Sequence, residues 1–190
     1  QLMAAEREII EEAYAGDIIG VFDPGIFSIG DTLCTAAHKF QFDPIPTFAP
    51  EHFRRVRPLD TMKRKQFLKG MEQIAQEGAI QIFKTPYSGM EEVIVGVVGT
   101  LQFDVLEYRL KNEYGVDLYA EGLPYEYLRW LRHEGDEPLR ADELTLPGDA
   151  MLVEDYRQNQ LLLFASQWSI NWTAERNKAV TLSEFGGAKF

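Results

Sequence analysis

The sequence predicts an α+β protein: the last strands of a β-barrel, then a ferredoxin-like βαββαβ unit with an additional α/β layer. Three features point there. The first forty residues are short apolar runs broken by Gly and Asp-Pro turns. Three prolines then fall within Phe42–Pro50. From residue 51 onward, strand-like and helix-like segments alternate.

Arg7–Tyr14 is short and mixed. Asp17–Phe22 places Ile18, Ile19, Val21 and Phe22 between Gly16 and the turn Asp23-Pro24-Gly25, and Ile26–Ile29 runs into Gly30-Asp31. Three such strands cannot close a barrel, so residues 1–41 read as the incomplete end of one. A chain that starts at Gln1 fits that reading, as a piece of something longer. In 42–50, Pro44, Pro46 and Pro50 hold themselves and their preceding residues extended, which makes a stiff linker.

Residues 51–190 form the second domain, ferredoxin-like over 51–122 with a C-terminal extension over 123–190. His52–Arg57 is a strand with Phe53 and Val56 as its apolar members. Asp60 or Thr61 caps a helix to Glu77, whose Phe67, Leu68, Met71, Ile74 and Ala75 share one face, and Gly78 stops it. Ala79–Phe83 and Glu92–Val98 are strands around a turn at Pro86–Gly89. A helix from Thr100 to Tyr114, with Leu101, Val105, Leu106 and Leu110 inward, ends at Gly115, and Val116–Ala120 is the fourth strand. That order is the split βαβ unit. Beyond it, Tyr125–Arg132, Ala150–Glu154, Gln160–Ala165 and Val180–Ser183 read as strands. Gln167–Asn177 reads as a helix, Glu134–Arg140 as a polar loop and Gly186–Phe190 as a frayed tail.

Composition narrows the chemistry. The 190 residues carry a net charge of −11 and one cysteine, Cys34, so a disulfide framework and multi-thiolate metal sites are excluded. The longest apolar run, Leu161–Ala165, has five residues, far below a bilayer span, and the acidic start resembles no secretory signal. No G-x-x-x-x-G-K-[ST] phosphate loop is present; Gly96 and Gly99 at a strand–helix junction read as helix packing before phosphate binding. His38, His52 and His133 lie on separate segments, and Cys34 with His38 makes two ligands, too few for zinc. No carboxylate pair stands out as catalytic.

One window rises above this background. Arg54, Arg55, Arg57, Lys63, Arg64, Lys65 and Lys69 face a single carboxylate, Asp60, a local charge of +6 that leaves −17 for the rest. That asymmetry fits a phosphate-contacting patch, and equally a solvated helix face. Trp168 and Trp172, at i, i+4, read as core before a base-stacking platform.

Ala13-Tyr14-Ala15-Gly16-Asp17-Ile18-Ile19-Gly20 and Gly30-Asp31-Thr32-Leu33 resemble the last strands of the domain II barrel of translational GTPases. Ile45–Arg57 resembles the linker and first strand of domain III in the bacterial peptide chain release factor 3 family. Gly96–Val105, with its Leu101-Gln102-Phe103-Asp104-Val105 string, sits where elongation factor G carries a Gly-x-Gly-Glu-Leu-His type sequence. The likeness is dense over 11–132 and thinner beyond.

The resemblance implies a class II release factor, a cytoplasmic GTPase that recycles class I release factors from the ribosome after peptide release. GTP or GDP with Mg would bind an N-terminal G domain not represented here, so no catalytic, cofactor or metal residue carries over and this piece is expected not to be an enzyme. Domains II and III of that family dock on the small subunit, touching ribosomal RNA and a small-subunit protein, which gives the basic window a role as ribosome contact. Neither membrane nor DNA is an expected partner. Two alternatives stay open: domain III of an elongation factor G relative, which the Leu-Gln-Phe-Asp form disfavours, and a free-standing ferredoxin-like module binding RNA or a regulator.

Overall fold

The computed structural model describes residues 9–22, 24, 26, 27, 30–42, 48–86, 93–133 and 138–184. Its elements are β1 (His52–Pro58), a 3-10 turn (Thr61–Lys63), α1 (Arg64–Gln76), β2 (Gln81–Lys84), β3 (Val93–Val97), α2 (Leu101–Tyr114), β4 (Leu118–Leu123), β5 (Tyr127–His133), a second 3-10 turn (Ala141–Glu143), β6 (Ala150–Asp155), β7 (Gln160–Phe164), α3 (Gln167–Arg176) and β8 (Val180–Ser183). The eight described strands form one sheet in the order β4-β1-β3-β2-β6-β7-β5-β8. Every ladder is antiparallel.

The first four strands carry the βαββαβ connectivity, with β1 central between β3 and β4. Of the two arrangements open to the C-terminal α/β extension, beside the first sheet or continuing it, the second is found: β6 pairs with β2, Phe83 opposite Asp155 and Lys84 opposite Glu154, so it lengthens the same sheet. Side-chain alternation then divides the interior. On one face of the ferredoxin-like half, Val56, Val93, Val95 and Val97 pack under Phe67, Met71 and Ile74 of α1 and Phe103, Leu106 and Leu110 of α2. A second cluster joins Phe53, Phe83 and Ile94 to Leu128, Trp130, Leu161 and Leu163, fastening the two halves together. A third sets Leu162 and Phe164 against Ile170 of α3 and Leu144. Strands β3 and β7 are buried at every position because both of their faces are covered.

Local chemistry sets the helix ends. Asp60 accepts the Met62 N–H at 2.9 Å and starts the 3-10 turn that leads into α1. Gly115 ends α2 at φ +65°, and the Val116 N–H reaches back to the Leu110 carbonyl at 2.9 Å. Gly70 lies where α1 meets α2: a Cβ there would stand 2.5 Å from Leu110 Cδ2. Ser166 caps α3, accepting from the Ser169 N–H.

Several expectations need correction. Asp17–Phe22 forms no strand; its backbone has no ladder partner among the described residues, and Ile18, Val21 and Phe22 are exposed. Part of Ile26–Ile29, most of the proline linker (43–47), the turn at 87–89, the start of the loop after β5 (134–137) and the tail at 186–190 lie outside the described residues. On α2 the core face is Phe103, Leu106 and Leu110, whereas Leu101 and Val105 point outward. The apolar residues of this helix occupy two opposite faces, so periodicity alone did not fix which one is buried. Trp168 is not core either; it is 64% exposed, because α3 turns Ser169, Ile170 and Thr173 to the sheet instead.

Candidate nucleic-acid interface

The basic window does not stay together. Strand alternation sends Arg54 to the helix-covered face with Val56, and Arg55 and Arg57 to the other. Arg54 is half-buried, its guanidinium 4.3 Å from the centre of the Phe103 ring. Arg55 lies opposite Glu121 in the β1–β4 ladder and approaches its carboxylate at 3.5 Å. Arg57 lies opposite Tyr119 and covers its ring at 4.5 Å. Lys63 donates to the Gly115 carbonyl at the end of α2, where an ammonium also complements the helix dipole.

Three cations are left facing outward from α1: Arg64, Lys65 and Lys69 are exposed. Lys65 and Lys69 lie one helical turn apart and form no ion pair with a described residue. Arg54, Arg55, Arg57 and Lys63 are therefore held by structural contacts, and Lys65 and Lys69 present their charge from one face of α1.

The Gly96–Val105 string has a structural explanation. Gly96 is required by close approach, since a Cβ would meet Pro50 Cγ at 2.6 Å and Phe83 Cε2 at 2.9 Å, whereas Gly99 faces open space. Gln102 ties the region together: its Oε1 accepts the Val98 and Gly99 N–H groups at 3.0 Å each, and its Nε2 donates to the Ala79 carbonyl at 2.7 Å. Phe103 fills the core beneath Arg54.

Two further ion clusters escaped the sequence. Arg109 of α2 forks between Glu77, at the end of α1, and Glu113 one turn on, donating from Nε to Glu113 Oε1 at 2.8 Å. These bonds push the Arg109 pKa up and hold Glu113 below the usual carboxylate range. The i, i+4 half of this cluster was legible; Glu77, 32 positions away, was not. Arg129, buried in β5, donates to Glu184 Oε1 at 2.8 Å and to the Leu128 carbonyl at 2.9 Å. A charge inside the apolar run Tyr127–Leu131 signals that a partner exists without saying where.

Arg129 and Glu184 help line a cleft of about 900 Å3 together with Pro50, Arg54, Phe103 and Tyr125. Burial pushes the Tyr125 phenol up. Of the other residues singled out, His52 is exposed at the start of β1, also beside this cleft, and His133 ends β5. Among the described residues no three His, Cys, Asp or Glu side chains converge as a metal site, and no helix is long and apolar enough to cross a membrane. On α3, Trp168 and Trp172 lie 6.2 Å apart, with Arg176 4.0 Å over Trp172.

A βαββαβ half that follows a segment whose sequence resembles the end of a translation-factor barrel fits the translation-factor class. Two family models match accordingly: elongation factor G domain 2 over residues 1–36, and class II release factor RF3, C-terminal domain, over residues 42–174. The chain belongs to the peptide chain release factor 3 family. It is 50% identical over 177 residues to a peptide chain release factor 3 of Symbiobacterium thermophilum, covering 93% of this chain and 33% of the relative. Proteins of the same name are 42% identical in Listeria innocua (96% of this chain, 34% of the relative) and 39% in Streptococcus uberis (97% and 34%). The chain spans about a third of the length of these relatives.

Proposed function

We infer that this chain is the ribosome-docking part of a GTP-dependent release factor that promotes recycling of class I release factors in the cytoplasm. In this reading GTP or GDP with Mg binds a G domain elsewhere in the parent protein, and the described α+β unit acts as a rigid body that transmits the nucleotide state. Small-subunit RNA and protein are its direct partners, and class I factors its functional ones. Family membership supports the role. The observation that carries the docking surface is the exposed Lys65–Lys69 pair on α1, with Arg64 beside it, on a body that is otherwise acidic. A localised cationic face suits phosphate contact, while the surrounding carboxylates suppress indiscriminate binding.

The test is co-sedimentation of the chain with purified small ribosomal subunits across a salt series. Lys65→Gln with Lys69→Gln is expected to weaken binding and to lower the slope of log affinity against log salt by roughly 0.7 to 0.9 for each lost phosphate contact. An unchanged slope in a variant that melts like the wild type rules out the phosphate role of this face.

A further inference from the structure

Helix α2 has an apolar side that the fold does not use. Its core face is Phe103, Leu106 and Leu110, each at most 4% exposed. At about 100° per residue, Leu101, Val105, Tyr108 and Asn112 fall within about 60° of one another on the opposite side. Leu101 is 71% exposed, Val105 44% and Tyr108 68%, and Val98, just before the helix, is 52% exposed. Spacing i, i+4, i+7 makes this one continuous stripe along the pole of the helix that normally carries charge.

The charges beside the stripe point to what covers it. Asp104 and Glu107 are exposed on one flank and form no ion pair with a described residue. The cations of the same helix are already engaged: Arg109 by Glu77 and Glu113, and Lys111 by Asp117 at 3.0 Å. The free charge along this surface is therefore negative. Nucleic-acid phosphates would be repelled, and a second copy would bring the same carboxylates against themselves.

We propose that the outer face of α2 docks a protein surface bearing an apolar patch rimmed by Lys or Arg. Leu101, Val105 and Tyr108 enter the patch, and Asp104 and Glu107 pair with the rim. The interface is distinct from the α1 cations: one helix presents charge to phosphate, its neighbour presents an apolar stripe to protein. Placing the partner among the proteins of the small ribosomal subunit rests on the function inferred above.

The experiment replaces Val105 with the photoreactive p-benzoylphenylalanine in the full chain and irradiates it with purified small ribosomal subunits, monitoring co-sedimentation in the same samples. The expected product is a cross-link to one Lys/Arg-rich protein, identified by mass spectrometry. Adding Leu101→Asp and Tyr108→Ser should cut its yield at least tenfold without changing the melting temperature, whereas Leu101→Met with Tyr108→Phe should retain it. A cross-link to RNA or to a second copy overturns the proposal, and so does co-sedimentation without any cross-link. Failure of the wild type to co-sediment removes the ribosome reading itself, and the proposed partner with it.

Discussion

The Arg54 guanidinium stands 4.3 Å from the centre of the Phe103 ring, so the first cation of the basic window closes the top of the α1–α2 core. Phe103 is 4% exposed and Arg54 half-buried, and the two contribute unequally. Arg54→Ala should destabilise by about 1 kcal/mol through the lost cation–π contact and stem packing. Phe103→Ala should cost about 3 to 5 kcal/mol. Urea unfolding checks the ranking; equal effects would mean that the guanidinium contact contributes far more than such contacts ordinarily do.

Gln102 joins three backbone groups from two segments, the end of β3 and the α1–β2 turn. Gln102→Glu keeps the two acceptor bonds from Val98 and Gly99 but sets a carboxylate oxygen against the Ala79 carbonyl. Gln102→Ala loses all three bonds, yet Val98 and Gly99 are exposed and their N–H groups can turn to water. Both variants should therefore lose only about 1 kcal/mol of stability. Amide hydrogen exchange is the sharper readout: protection at Val98 and Gly99 should fall in the alanine variant and persist in the glutamate one.

At Gly70 two effects of opposite sign meet. Glycine inside a helix is less favourable than alanine by about 1 kcal/mol, so Gly70→Ala would stabilise an open helix. Here the new Cβ would meet Leu110 Cδ2 at 2.5 Å and Tyr114 Cδ2 at 2.9 Å. Leu110 is wholly buried and cannot step aside, and overpacking costs about 1 to 3 kcal/mol. The net effect should be destabilising. Gly99→Ala, with open space around it, should be near neutral, and thermal melts of the pair separate packing from propensity.

How much of this was legible beforehand depends on where each signal resides. Gly78 and Gly115 as helix stops, and the split βαβ order, are local features and could be read directly. The β2–β6 pairing is not: Phe83 and Lys84 meet Asp155 and Glu154 across some seventy residues, and strand pairing of that range leaves no trace in periodicity. The basic window was visible as composition, but its division was not. That division depends on pleat alternation in β1, on Glu121 and Tyr119 arriving with β4, and on the α2 C-terminus reaching Lys63. Trp168 misled for a related reason, since spacing places two tryptophans together on a helix without saying which way the helix faces.

Arg109 and Glu113 yield a pH dependence with a definite sign. Hydrogen bonding from Arg109 holds the folded-state pKa of Glu113 below its ordinary value. A carboxylate depressed in this way contributes stability that is complete above its unfolded pKa and is lost as pH falls through the folded one. The difference in urea midpoint between wild type and Arg109→Gln should therefore be largest near neutral pH and shrink as pH drops below the ordinary glutamate range. Salt should narrow it too, because the pair lies near the surface. A difference that stays constant down to acid pH would mean that the side-chain packing of Arg109, and not its charge, connects the helices.

Arg129 and Glu184 form the most asymmetric pair, a guanidinium in a buried strand position facing a carboxylate that is 64% exposed. Removing the exposed partner leaves the buried charge, among the described residues, with the Leu128 carbonyl and the Tyr127 ring 5.9 Å away. Glu184→Ala should therefore destabilise, by about 1 to 2 kcal/mol once solvent access to the carboxylate is allowed for. Arg129→Met removes the charge and keeps most of the side-chain volume, so it should cost less than the loss of Glu184. The double variant completes the cycle. If Arg129→Met absorbs the penalty, adding Glu184→Ala to it should change stability by only a few tenths of a kcal/mol, near the margin within which independent sites add. A full additive loss in the double variant would instead show that Glu184 acts through contacts other than Arg129.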